Sequence, residues 1–195
     1  MKNKYLKNNS QINQQKISEL KLSEVELSDI YIYRSGFKNV NILNSELRGF
    51  EFVFAVLDIC NFANTEFENL YFKQSSLLNS KVTGADFAEV VILNSKFNDS
   101  KLDLSNFKYG KIENSVFKNC DLRGADFSAA KLKKVTFKDC DLSGVNFSQA
   151  EFQNIDLRGS SIADTLIDID NFREVTIDPT QVYLIANALG VSIKD

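Results

Sequence analysis

The chain has 195 residues, with 23 basic and 26 acidic side chains, no histidine, no tryptophan and one proline. That balance excludes a basic nucleic-acid binder by bulk charge. Absence of histidine removes the commonest general base and metal ligand. The three cysteines lack Cys-x-x-Cys spacing and are too few for a disulfide scaffold. No apolar run approaches the ~20 residues that cross a bilayer, and Met1 to Ser10 has no signal-peptide core. The expectation is a cytoplasmic protein off the membrane, with no cofactor, no metal and no catalysis.

In chain order, residues 1–11 read as a flexible lead-in. A period of five is firm from Ile17, through Leu22, Leu27, Ile32 and Phe37, and runs without insertion to Phe172 and Ile177. It matches neither a helix (3.6) nor a plain strand (2.0). Two places before each large apolar residue (position i) the residue is mostly small, as at Ser75, Ala85, Ser95, Cys120, Ala125 and Cys140. Positions i−2 and i thus face inward, with i−1 outward between them. Positions i+1 and i+2 carry turn residues such as Arg123-Gly124 and Ser143-Gly144. Each unit is a short strand plus a corner, so residues 12–177 wind into a tube.

A second period of 20 lies over the first: Phe67, Phe87, Phe107, Phe127 and Phe147; Gly84, Gly124 and Gly144; Cys60, Cys120 and Cys140. Four units per coil stack residues 20 apart, giving eight to nine coils and a rod roughly 40 Å long at about 4.8 Å per coil. The cysteines and internal serines read as core. Phe50 looks oversized for its column. The apolar run around it admits two readings, an outer patch or a register slip through a bulge. Asp170 is a candidate to bond free N–H groups near the last coil.

Residues 178–195 change type. Asp178-Pro179-Thr180-Gln181 is a helix start with a capping box, and the helix should stop at Gly190. Val182, Ile185, Ala186 and Leu189 form one stripe to cover the tube's end. Tyr183, Leu184, Ala188 and Val191 are left for a second copy of the chain, in a C2 homodimer.

Sorting the outer residues by coil position separates four faces. The face beside the phenylalanine ladder carries Glu26, Asp29, Glu46, Glu66, Glu68, Asp86, Glu89, Asp126 and Asp168 against Arg48 and Lys108. Another face has a basic surplus, with Arg34, Lys73, Lys111, Lys131, Lys133, Lys134 and Arg173. In its N-terminal third it carries the candidate apolar patch: Tyr31, Tyr33, Val53, Phe54, Tyr71, Val91 and Leu93, with Val56 and Ile59 extending it around a corner. An exposed apolar patch of this size is a candidate partner surface.

Units such as Ala85-Asp86-Phe87 and Cys120-Asp121-Leu122-Arg123-Gly124 resemble the pentapeptide repeat family. The resemblance implies an all-β solenoid, a right-handed quadrilateral β-helix ending in a short C-terminal α-helix. The tail Gln181-Val182-Tyr183-Leu184-Ile185-Ala186-Asn187-Ala188-Leu189-Gly190-Val191 is similar to the dimerisation segment of quinolone-resistance (Qnr-type) members, most like those of Gram-positive bacteria. That likeness implies a tail-to-tail homodimer that binds DNA gyrase or topoisomerase IV by imitating DNA, protects it from quinolones and binds no nucleic acid itself. Plasmid-borne members carry projecting loops, which this chain lacks. The other reading is a general interaction scaffold, or an immunity protein against a different toxin, working through the apolar patch.

Overall fold

A computed structural model describes residues 5–188. The chain coils into a solenoid of about eight turns. On the first face, parallel strands stack from Ser10–Asn13 through Tyr71–Lys73 to Glu151–Gln153. On the second they stack from Lys16–Ser18 to Val175–Thr176. The third and fourth faces hold short strands in the early coils, such as Lys21–Ser23 and Glu66–Glu68, and isolated parallel bridges beyond. The register is 20 throughout: Ser10 pairs with Ile30, Tyr71 with Val91 and Asn106 with Asp126. Sequence period and pairing register are therefore one quantity.

Corners form where the backbone enters the left-handed region. Every fifth residue from Asn9 to Asp164 has positive φ, always at position i+2. Asparagine, aspartate and glycine tolerate this best, and they fill most of these corners. On the third and fourth faces from Asn61 onward, apart from the strand Glu66–Glu68, the i+3 N–H donates to the carbonyl of i, as from Ala85 to Val82 and from Ala125 to Leu122. With Gly84 at φ +65 and Gly124 at φ +64, these are type II turns. Aspartate or asparagine at i−1 accepts the N–H of i+1: Ala88 donates to Asp86, Ser128 to Asp126 and Ser143 to Asp141. This Asx turn explains the Ala-Asp-Phe and Cys-Asp-Leu units. On the first two faces, by contrast, i+1 is not a turn residue. It completes a three-residue strand with i−1 and i, as in Tyr71–Lys73 and Ser76–Leu78.

The interior is a set of columns. Phe107 and Phe127 stack at 4.6 Å between centroids and 6° between planes, and Phe97 and Phe117 at 4.6 Å and 12°. Serine columns satisfy themselves: Ser75 Oγ donates to Lys73 and Phe52 carbonyls and accepts the Ala55 N–H. The thiols take the same geometry, Cys120 Sγ donating to the Phe97 and Lys118 carbonyls. All three cysteines are free and buried, and burial pushes the Cys60 thiol up to about 11.

Several expectations need correction. The register does not slip near Phe50: Ile30 pairs with Phe50, Tyr31 with Glu51 and Tyr33 with Val53. Phe50 is buried and lies 6.1 Å from the Phe52 ring. The first strand starts at Ser10 and Leu6 is already buried, inside the segment expected as lead-in. At the other end, the coil geometry breaks although the spacing persists: Ile169–Glu174 is a 3₁₀ helix.

Where the regular coil gives way to this segment, side chains complete the ladder. Asp168 accepts the Gln149 N–H, Glu174 that of Asn154 and Asp178 that of Gly159. Asn171 accepts from the Phe152 N–H and donates to the Ala150 carbonyl. Asp170 takes no part in this cap. Asp178 and Gln181 form the expected capping box at the head of Pro179–Gln181 and the helix Val182–Ala188. Gln181, not Val182, plugs the end: it is buried, and its Nε2 donates to Leu157 and Ser160 carbonyls, both at 2.7 Å. Ile185 packs against the core, whereas Val182 is 52% exposed.

Candidate partner-binding surfaces

The fourth face carries the expected carboxylates. Glu26, Glu46 and Glu66 occupy one register column, and a bridge continues it to Asp86. Four successive coils thus present a carboxylate at the same place, at about 4.8 Å per coil. Arg48 reaches Glu46 at 3.3 Å and Glu68 at 3.1 Å. Glu26 and Glu66 have neither ion pair nor hydrogen bond from a side chain, and Glu66 is exposed. Glu66, Glu68, Asp86 and Glu89 line a shallow groove of about 210 Å³.

Asp29 and Glu89 stand at left-handed corners, with φ of 55° and 60°. Asp86 and Asp126 double as structural residues through their Asx turns. Beyond Asp86 the column dilutes, because Asn106 follows and Asp126 is paired with Lys108 at 3.3 Å. Burial pushes the Asp126 carboxyl upward. Hydrogen bonds from Ser128 and Lys108 outweigh this and hold it below the usual carboxylate value.

The apolar residues of the first face also come together. Tyr31 and Tyr33 stack at 6.2 Å, and Tyr33 meets Phe54 edge-on at 5.7 Å. The Arg34 guanidinium lies 5.1 Å from the Tyr33 ring and 5.8 Å from that of Phe54. Val53 is almost buried, with Tyr33 and Lys73 as its register neighbours. Tyr71 pairs with Val91, but Glu51 stands between Tyr31 and Tyr71, and Lys73 between Val53 and Leu93, so charged residues interrupt the patch from coil to coil. Phe54, Val56 and Ile59 are exposed along its edge. Lower on this face the positive surplus is partly paired, Lys111 with Glu113 and Lys131 with Glu151.

On the C-terminal helix, Val182, Tyr183 and Leu184 are exposed. Val191 lies outside the described residues, as does the expected stop at Gly190.

The profile described as "Pentapeptide repeat region" matches residues 90–167 and 110–182, and the five-residue corner runs beyond it from Asn9 to Asp164. The chain is a pentapeptide repeat protein. Its solved structural neighbours are distant. A trypsin-treated form of QnrB1, a plasmid-mediated fluoroquinolone resistance protein, has 19% identity over 97% of this chain and 99% of that one, with a TM-score of 0.41. Full-length QnrB1 has 20% identity over 89% of this chain and 100% of that one, at 0.35. HetL, a pentapeptide repeat protein involved in heterocyst differentiation regulation from the cyanobacterium Nostoc sp., has 16% identity over 82% and 87%, at 0.41. No curated protein sequence gives a significant match.

As a pentapeptide repeat protein the chain is a scaffold whose outer faces carry its chemistry. Among the described residues no cluster is arranged to hold a metal, and no helix is long and apolar enough to cross a membrane. Three exposed apolar residues escaped the sequence reading: Leu104 and Tyr109, both at left-handed corners beside the acidic face, and Leu166, which follows Asn146 in the carboxylate column. The signal was present in the sequence, since Leu104 interrupts the glycine column Gly84, Gly124, Gly144.

Proposed function

We propose that the protein binds a type II topoisomerase, DNA gyrase or topoisomerase IV, through its fourth face and protects it from quinolones by occupancy. The column Glu26, Glu46, Glu66 and Asp86 carries this reading. Its spacing of about 4.8 Å per coil compares with one phosphate per ~3.4 Å of helix axis on one DNA strand. A groove built for duplex DNA therefore meets one negative charge per coil on a stiff rod. The exposed Val182, Tyr183 and Leu184 supply an apolar contact for a homodimer, doubling the rod to roughly 80–100 Å at that coil spacing. No catalysis is required.

The test is binding of purified protein to gyrase, with rescue of supercoiling under a fluoroquinolone. Loss of both disproves the proposal. The charge-reversed variant should carry Glu66→Lys and Glu68→Lys with Asp86→Asn. Asparagine keeps the Asx turn to Ala88, so loss of binding then reports charge and not unfolding.

The aromatic cluster around Phe54 favours a second reading, a protein-interaction scaffold or an immunity protein against another toxin. In that case Phe54→Asp removes binding of the partner and the charge-reversed variant retains it.

A further inference from the structure

The corner column between the third and fourth faces is nearly bare over four coils: Gly84, Leu104, Gly124 and Gly144, all with positive φ. Leu104 is 67% exposed at φ 57°. A Cβ built on Gly124 would lie 3.1 Å from Leu104 Cδ2, so the leucine leans along the ridge over the glycine of the next coil. On the opposite edge of the fourth face, in the same coil, Tyr109 is 65% exposed at φ 59°. Between them lie Asn106 and Lys108, where the carboxylate column gives out.

Large apolar residues are poor choices here on two counts. They are held left-handed, where asparagine or glycine costs less, and their surface faces water. Most other corners use asparagine, aspartate, glutamine or glycine. Neither residue helps the core, since the Phe107 ladder beneath them is complete.

We infer that Leu104 and Tyr109 are two apolar prongs flanking the fourth face, and that they enter apolar sockets on either side of the basic cleft that receives the acidic column. This rests on the proposed topoisomerase reading and deepens it. The occupant is a protein cleft with positive charge along its floor and apolar pockets at its rim. The charge is argued from the carboxylates Glu26, Glu46, Glu66 and Asp86; the pockets are argued from the prongs. Duplex DNA offers no counterpart to the prongs, so they let such a cleft distinguish this rod from DNA. Leu104 and Tyr109 stand at the two corners of one side of the coil, with Ser105, Asn106, Phe107 and Lys108 between them, so the sockets lie on opposite rims of the cleft.

The test compares the wild-type chain with Leu104→Asn/Tyr109→Asn for binding to gyrase at 0.1 M and 0.5 M salt. Asparagine is the residue of many other corners, so the variant should melt at the wild-type temperature or higher. Expected are a loss of about 30-fold or more in affinity and a steeper salt dependence, because the remaining contact is charge alone. Equal affinity of wild type and variant, with equal salt dependence, overturns the prongs and leaves the charge reading standing. No binding by the wild type overturns both.

Discussion

Glu66 tests whether the acidic column is a surface held for binding or a set of structural groups. Its register neighbours are Glu46 and Asp86, each one coil away. At about 5 Å and the dielectric of water, a pair of like charges repels by roughly 0.8 kcal/mol. A Debye length of about 10 Å at 0.1 M salt reduces this to near 0.5 kcal/mol. Two neighbours make about 1 kcal/mol of strain, with no compensating hydrogen bond or ion pair on Glu66. Glu66→Gln should therefore stabilise the chain by about 1 kcal/mol, or ~2–4 °C in melting temperature for a chain of this size. The gain should shrink toward zero in 1 M salt, where the Debye length is about 3 Å. Thermal unfolding at both salt levels, paired with gyrase binding, is the assay. Under the proposed function the same substitution weakens binding. A destabilised variant, or a gain equal at both salts, refutes the electrostatic reasoning.

Gln181→Leu should open the C-terminal end: the Ser160 carbonyl loses its donor and the Leu157 carbonyl keeps only the Ser160 N–H, at roughly 1–3 kcal/mol for the carbonyl left unsatisfied. Solenoids fray locally, so hydrogen exchange should accelerate at the Leu157 and Gly159 amides and stay unchanged at Phe107. Ile59 is a β-branched residue at φ 55° and 49% exposed. Ile59→Asn should raise stability by about 1 kcal/mol, read as a higher urea midpoint. Acid should destabilise the rod. The Arg123 side chain holds the Asp121 carboxyl below its ordinary value, Arg158 does so for Asp156, and the Thr180 hydroxyl for Asp178. Their contribution is full above the unfolded value of ~3.9 and disappears as pH falls through the lowered folded values. Urea midpoints from pH 6 to pH 2.5 should show this loss, and Asp121→Asn with Asp156→Asn should flatten it.

The coil was legible because one number sets both sequence and contact. Residues 20 apart in sequence touch in space, so Phe107, Phe127 and Phe147 announce their own stack. The ends were less legible for the same reason. Asp168, Asn171 and Glu174 act on backbone groups left unpaired where the regular coil gives way to the 3₁₀ segment, and no period encodes that change. Phe172 and Ile177 keep the spacing while the backbone at Ile169–Glu174 turns 3₁₀. Spacing alone also placed the strand one residue early on the first two faces. Aspartate at i−1 supports a turn unit through its Asx bond, as at Asp86, Asp126 and Asp141, yet Lys81 and Lys101 also precede turns and Asn41 opens a strand. At the candidate site the columns were readable from position, including the fourth-face carboxylates. Treating every i+2 residue as a turn residue concealed Leu104 and Tyr109. A corner fixes only φ there, and their side chains point into solvent.

The two halves of the rod differ in packing and in the pairing of their surface charges. Tight ring stacking lies toward the C-terminal half, at 4.6 Å for Phe97 with Phe117 and for Phe107 with Phe127. So do most ion pairs: Lys108 with Asp126, Arg123 with Asp121, Lys131 with Glu151 and Arg158 with Asp156. In the N-terminal half, the rings of Phe52 and Phe72 are 5.8 Å apart and tilted. A void of about 30 Å³ lies in the interior between Phe52 and Phe107. That half also carries the stacked carboxylates and the exposed cluster of Tyr33 and Phe54. Unpaired like charges, exposed aromatics and looser packing all depart from what stability alone selects, and such departures concentrate at functional surfaces. Because each coil contacts only its neighbours, the well-packed half tolerates these costs in the other without transmitting strain. A partner that covers the N-terminal half would relieve the charge repulsion and bury the aromatic surface together.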